Sequence, residues 1–321
     1  MLTLPRTDSV SRFEVVPEFD WEETVCPSCG KDHSQPIFEA ADPEPKNAGL
    51  RFAIVECADC GLWFTNPRPS PADIGKFYPS DYLPYARPQL RPAKNSWLFR
   101  MQSRLLGRPC RERQYLPWHG QGRLLDFGCG GGEYLIRMQN QGWKTTALDV
   151  SENVIQNLQA GFGIKGYVGT LPHPELKPAS FDVVTMWASL EHVHQPLETL
   201  RGVHRILAPG GRVYVQVPNS EGWECRLFGE NSFSWDVPRH LTFFCPRTLN
   251  DILGRAGFQV QTIRQVSQPS WSRKSLKRAR QAGTAGFFSR LLAFKPAALA
   301  RSWLGYLCGK SENIFAFAER E

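Results

Sequence analysis

The sequence predicts a doubly wound α/β sheet preceded by a small metal-stapled domain, and three observations predict it. From residue 122 onward, short apolar runs alternate with amphipathic helical stretches. One of those runs ends in a glycine-rich turn, Gly128-Cys129-Gly130-Gly131-Gly132, that opens a helix. Ahead of both stand two C-x-x-C pairs. Strands that alternate with helices imply a largely parallel sheet with helices on both faces.

The elements follow in order. Residues 1–20 read as a loose lead-in without the apolar core of a secretory signal. Residues 21–66 hold the cysteine pairs. The run NPRPSPADIGKFYPSDYLPY (66–85) reads as turns with one short helix near Ala72–Phe77. Residues 94–116 suggest a basic helix interrupted by Gly107 and Pro109. RLLDFGC (123–129) is a buried strand. EYLIRMQNQG (133–142) is a helix closed by Gly142. KTTALDV (144–150) is the next strand, and Ser151 caps the helix SENVIQNLQA. KGYVG and FDVVTMW are further strands. PLETLRGVHRIL places Leu197, Leu200, Val203, His204 and Leu207 at helical spacing, and APGG ends it. RVYVQVP is a buried strand, PRTLNDILGRAGF a helix closed by Gly257, and QVQTIRQV and NIFAFAER are the last two strands. Between those two lie roughly 45 residues, too many for a simple loop. This insertion, at about 267–311, carries the basic run SRKSLKRAR and an amphipathic, aromatic-rich stretch at 286–307. The expected organisation is therefore 1–85 (cysteine domain with a proline-rich lid), 86–120 (basic helical linker) and 121–321 (α/β domain with the insertion).

Composition fits a globular chain: 41% hydrophobic and 21% charged residues over 321 positions. No apolar run is long enough to span a bilayer. Nine cysteines, an odd number, without a secretory signal argue for the reducing cytoplasm rather than a disulfide scaffold. Net charge is +7 and is unevenly spread. No acid lies between Asp81 and Glu112 or between Asp251 and Glu312, while the second stretch alone holds eleven Lys and Arg residues. Such one-sidedness suits an anionic partner (a phosphate-bearing substrate, nucleic acid or a membrane surface) or simply a solvated basic face.

Cys26-x-x-Cys29 and Cys57-x-x-Cys60 are each followed by glycine, as CPSCG and CADCG. Four thiolates from two such knuckles form a closed tetrahedral site, the usual structural zinc arrangement, with iron as the alternative. A closed site has no position for water, which implies a folding role.

Leu124–Gly132 ends a strand and opens a helix, and glycines there let the backbone approach a ligand closely. Asp149 ends the following strand about twenty residues on, where a carboxylate can accept both hydroxyls of a ribose. With the strand SFDVV (180–184), the segment LEHVHQPL (190–197) and LAPGGRVYVQVPN (207–219), residues 122–266 resemble a class I S-adenosylmethionine-dependent methyltransferase domain, one with a Rossmann-like sheet. The resemblance implies that Asp126 sits near the amino-acid end of the cofactor. It implies that Gly128, Cys129 and Gly130 line the cofactor, that Val150 lies against the adenine and that Trp187 and Ser189 face the methionine part. It also implies a closing antiparallel hairpin, from which this chain departs by its insertion. Thr170-Leu171 stands where many relatives have an acid near the adenine amine, a second departure.

Methyl transfer needs alignment of two partners and management of one proton, for which histidine is suited near neutral pH. His192 and His240 are the candidate bases, with Glu191 orienting or sharing the role; His194 and His204 read as structural. His240 belongs to a Pro-Arg-His-Leu stretch (238–241, with Arg239) that similar methyltransferases carry near the substrate. Tyr78 and Tyr82 fall in FYPSDY, which resembles a segment of relatives that pair a zinc ribbon with this fold, and would reach over the substrate. Such relatives act on small molecules, glycans and secondary metabolites, so the expected acceptor is a small molecule or sugar, methylated on oxygen, nitrogen or carbon. An RNA or protein acceptor, and a non-catalytic or membrane-docked accessory role through 286–307, stay open.

Overall fold

A computed structural model describes residues 19–44, 47, 49–79, 111–284 and 295–321. The N-terminal strands are β1 (Trp21–Glu22), β2 (Ser34–Ala41), β3 (Arg51–Cys57), β4 (Trp63–Thr65) and β5 (Arg68–Pro69). They are followed by a short 3-10 turn at Ile74–Phe77, where the sequence predicts a helix. Of the expected basic linker helix, only a turn at Arg111–Arg113 falls among the described residues; Tyr82 lies outside them.

The α/β part follows the predicted order closely: β6 (Arg123–Phe127), α1 (Glu133–Gln139), β7 (Lys144–Asp149), α2 (Glu152–Phe162), β8 (Lys165–Val168), β9 (Phe181–Trp187), α3 (Pro196–Ile206) and β10 (Leu207–Pro218). Then come α4 (Trp223–Phe228), β11 (Thr242–Phe243), α5 (Pro246–Arg255), β12 (Phe258–Val266), α6 (Pro269–Gln281), α7 (Lys295–Leu307) and β13 (Asn313–Arg320). Ser151 caps α2 as expected, its hydroxyl accepting from the Val154 N–H, a contact worth about 1 kcal/mol. α1 stops three residues before Gly142, whose φ of 94° turns the chain back toward β7. The APGG segment does more than end α3. Leu207 pairs with Phe181, the chain bulges, and pairing with β9 resumes at Arg212–Val183.

The central sheet has seven strands in the order β12-β13-β10-β9-β6-β7-β8. β8, β7, β6, β9 and β10 are parallel, and β13 is antiparallel to both β10 and β12. The last two predicted strands thus form the closing hairpin, with α6 and α7 inserted between them. Alternation along β9 supplies both faces: Val184 and Met186 pack with Leu200, Val203 and Ile206 of α3 and Leu249, Ile252 and Leu253 of α5. Val183 and Trp187 pack on the other side with Tyr134 and Met138 of α1, Tyr214 and Phe315. Among the described residues, no helix is long and apolar enough to cross a membrane.

A second sheet has the order β11-β4-β3-β2. Its outer strand, β11, comes from the loop between α4 and α5, so the N-terminal sheet is completed by a strand of the α/β part. Thr242 pairs with Phe64 and Phe243 with Trp63.

Candidate active site

The carboxyl ends of β6, β7, β9 and β10 form one edge, and every cofactor residue named from the sequence lies along it. Gly128 adopts φ +67°, and a Cβ there would fall 2.6 Å from the Ser189 Cβ. Glycine is therefore required at 128 by conformation and by space. The loop is pinned by Asp149, whose carboxylate accepts from the Gly130 and Ser151 backbone N–H groups at 2.9 Å each. Asp149 is buried, and burial raises its pKa despite those two donors. Sequence reasoning assigned this acid to a ligand; its second task, anchoring the loop, depends on a backbone contact invisible in the sequence. Cys129 is buried beside it, whereas Val150 is 66% exposed and free to meet a flat ring.

Asp126 is buried next to the loop and accepts from the Thr185 hydroxyl at 2.6 Å. Burial pushes its carboxyl up to about 7, against the lowering effect of Thr185. On the neighbouring strands and on α1 stand buried polar atoms with no hydrogen bond to the protein: Trp187 Nε1, Ser189 Oγ, Tyr134 OH and Gln216 Oε1. Such atoms are costly unless something else satisfies them. Trp187 also stacks on Phe315, so its ring is part of the core. Tyr134 and Gln216 were not foreseen. Arg113, over the Trp187 ring at 5.5 Å, was not foreseen either. No local motif announces these three.

The candidate bases come together. A 3-10 turn at Leu190–His192 follows Ser189 directly, and the Glu191 carbonyl accepts from the Leu241 N–H of the loop that carries His240. The His192 and His240 rings lie 4.7 Å apart, edge to face. His192 Nδ1 is 2.9 Å from the Arg239 carbonyl, and His240 Nδ1 is 2.8 Å from the Ser234 carbonyl. A carbonyl only accepts, so each Nδ1 carries the proton and each Nε2 keeps its lone pair. Burial, with His240 alongside, lowers His192 to about 3, and burial lowers His240 as well. Both rings are thus neutral in this environment. Glu191 is wholly buried, neither carboxylate oxygen has a protein partner, and burial pushes it up to about 8.

Tyr78 reaches this cluster, its hydroxyl 3.1 Å from His192 Nδ1. Arg239 sits elsewhere than the sequence suggested. Its buried guanidinium donates to Asp42, Asp236 and the Phe77 carbonyl, tying the His240 loop to the N-terminal segment rather than facing an open cleft. His194 and His204 are structural, as expected: the first bonds the Pro69 carbonyl and the second packs on Phe258.

The four knuckle cysteines converge as the spacing predicts. Cys26 and Cys60, and Cys29 and Cys57, have sulfurs 3.5 Å apart. A tetrahedral zinc with Zn–S of about 2.3 Å requires edges of roughly 3.8 Å, so the donor set fits with small adjustment.

A methyltransferase-domain family model matches residues 101–263, half of the chain. The chain is 33% identical over 153 residues to the ubiquinone biosynthesis O-methyltransferase of Vibrio cholerae serotype O1, covering 44% of this chain and 62% of that protein. It is 32% identical over 124 residues to the protein of the same name from Sodalis glossinidius, covering 36% of this chain and 50% of that one. The chain therefore spans only part of the length of these relatives. Among solved structures, it is similar to an S-adenosylmethionine-dependent methyltransferase from Mesorhizobium loti, at 18% identity and a TM-score of 0.46, covering 65% of this chain and 95% of that one.

Proposed function

The chain belongs to the methyltransferase-domain family, and from that premise we propose that it transfers a methyl group from S-adenosylmethionine to an oxygen of a small-molecule acceptor. The observation that carries the reading is the juxtaposition at Ser189. This residue touches the glycine loop on one side and leads into Glu191 and His192 on the other. A cofactor cradle and a group of proton acceptors thus share one edge of the sheet.

The roles follow from chemistry. S-adenosylmethionine supplies a methyl on a sulfonium, so the chain itself must align the partners and take away one proton. Asp149 receives the ribose, the 128–130 backbone lines the cofactor, and Val150 meets the adenine. Asp126 meets the ammonium of the amino-acid end, and Trp187 and Ser189 flank the methionine part. The acceptor's proton leaves toward His240 and His192, whose bare Nε2 atoms are the receiving positions, while Glu191, which keeps its own proton near neutral pH, orients them. Two neutral imidazoles suit a hydroxyl, and the curated relatives named above are O-methyltransferases. The cysteine cluster holds zinc in a structural role.

The test is a methyl-transfer assay with the full-length protein against phenolic, catecholic and sugar hydroxyl acceptors, together with an Asp149→Ala variant. Transfer to one hydroxyl class is expected, with Asp149→Ala losing about ten- to a hundredfold in cofactor affinity, the worth of a charge-assisted hydrogen bond. Wild-type protein that binds S-adenosylhomocysteine but turns over no oxygen acceptor would sink the acceptor assignment.

A further inference from the structure

The insertion between the last two strands returns to the sheet at Ser311–Asn313, and this return is held on all sides. The Asn219 side chain donates to the Ser311 carbonyl and the Asn219 N–H to the Glu312 carbonyl, at 2.9 Å each. The Ser311 N–H donates to the Gln265 side chain. The Glu312 carboxylate accepts from the Ser302 hydroxyl of α7 and from the Gln268 N–H, at 2.9 Å each. Amid these contacts, the Ser311 hydroxyl and both polar atoms of the Asn313 carboxamide have no hydrogen bond among the described residues. Both residues are 0% exposed. Unmet polar atoms so deeply buried are unfavourable, and an apolar side chain at either position would leave none.

Their place in the sheet identifies their neighbours. Asn313 opens β13 opposite Pro218, at the carboxyl end of β10. Residues paired across strands share a face, and so do residues two apart on one strand. Phe315, two residues on, pairs with Gln216 and stacks on Trp187. Gln216 in turn pairs with Trp187 on β9. Asn313 therefore shares a face with Gln216 and Trp187, whose Oε1 and Nε1 also lack a hydrogen bond. Neighbouring strands are about 4.8 Å apart, so the row from Trp187 to Asn313 spans about 10 Å, the scale of a small molecule. The Ala188 N–H donates to the Gln216 carbonyl at 2.8 Å, so the row adjoins the turn that carries Glu191 and His192.

We propose that Asn313, assisted by Ser311, recognises a second hydroxyl of the acceptor, one that is not methylated, and thereby selects neutral acceptors that carry more than one hydroxyl. The proposal rests on the methyltransferase reading and names what that site selects. The donor set decides the class. A carboxamide offers a donor and an acceptor side by side, and a hydroxyl uses both, donating to Oδ1 while accepting from Nδ2. An anionic group would meet Nδ2 but not Oδ1, and an ammonium would meet Oδ1 but not Nδ2. The charged groups nearby are already engaged, Arg264 with Glu112 and Glu312 with Ser302 and Gln268. A site built to bond a hydroxyl discriminates strongly against an analogue that lacks it, because the site's own polar groups are then left unmet.

The test compares full-length wild type with Asn313→Leu on matched acceptors, catechol against phenol and methyl glucoside against its monodeoxy analogues. The wild type should prefer the member with the additional hydroxyl by about a hundredfold or more in kcat/KM. Asn313→Leu should cut that preference by about tenfold or more, chiefly through KM, while calorimetry shows S-adenosylhomocysteine bound as in the wild type. Thermal unfolding of the ligand-free protein gives a second readout. Asn313→Leu should match or exceed the wild-type Tm, since it removes two unmet polar atoms from the interior. Ser311→Ala, a smaller change that the fold accommodates readily, should act in the same direction. An active wild type whose preference is unchanged in both variants overturns the proposal and leaves the methyltransferase reading standing. So does a lowered Tm in both variants, which would mean that these groups are bonded within the fold. A wild type that binds S-adenosylhomocysteine but methylates no member of either set overturns the oxygen-acceptor reading, and this proposal with it.

Discussion

Asp126 and Asp149 are both buried acids at one sheet edge, yet their surroundings differ. Asp149 accepts two backbone N–H bonds, whereas Asp126 has a single hydroxyl donor. Burial raises the Asp126 carboxyl to about 7, so without a ligand the folded chain holds this proton more tightly than the unfolded chain does. Its contribution to stability is full below the ordinary carboxylate range and is lost as pH rises through about 7. An arriving ammonium reverses the preference, because it favours the ionised form. Affinity for S-adenosylhomocysteine should therefore rise between about pH 6 and about pH 8, and Asp126→Asn should flatten that profile. Calorimetry across the range checks it, and a profile unchanged in the variant would remove Asp126 from the amino-acid end. Both acids were legible in the sequence because the glycine loop fixes their spacing. Tyr134, Gln216 and Arg113 were not, since each arrives from an element whose own pattern records only packing or charge.

The segment Ser232–Leu241 is the element on which the candidate base His240 depends. Asp236 lies between two guanidinium groups, Arg239 at 3.1 Å and Arg278 of α6. Those two cations hold its carboxyl well below the usual range. Arg239 continues the chain of charges to Asp42. Asp236→Ala would leave two cations without their shared anion, one of them fully buried, at a cost of about 3–5 kcal/mol. Urea denaturation should register that loss near neutral pH. The deficit should narrow as pH falls through the acid range, because protonation of Asp236 removes the same stabilisation from the wild type. Helices and strands with a clear period, such as α3, α5 and β9, were readable in advance. The two-residue strand β11 and the six-residue helix α4 were not, because neither is long enough to display a period. The second partner of Arg239 was hidden for a related reason: Asp236 is three residues away, but Asp42 lies 197 residues away.

At the scale of the molecule, the cysteine domain is a buttress for the reactive edge. β4 pairs with β11, the Thr65 hydroxyl donates to the His240 carbonyl, and Arg68 donates to the His194 carbonyl. Arg247 of α5 in turn donates to the Cys60 carbonyl. Loosening the cysteine cluster should therefore be felt at His240 before it reaches the glycine loop. Cys57→Ser should lower kcat by about tenfold or more while S-adenosylhomocysteine affinity stays near wild type. An equal loss of both would mean that the two parts do not act in this order. The cysteine spacing and the α/β alternation were both visible in the sequence, but the seam between them was not, since sequence patterns describe elements and not their neighbours across the chain. That seam also sets a schedule for synthesis. Thr65 and His240 are 175 residues apart, so β4 leaves the ribosome long before β11 exists. Until then β4 is an open edge beside the apolar Trp63 and Phe64, and the nascent chain carries a site for unwanted strand pairing through most of its translation.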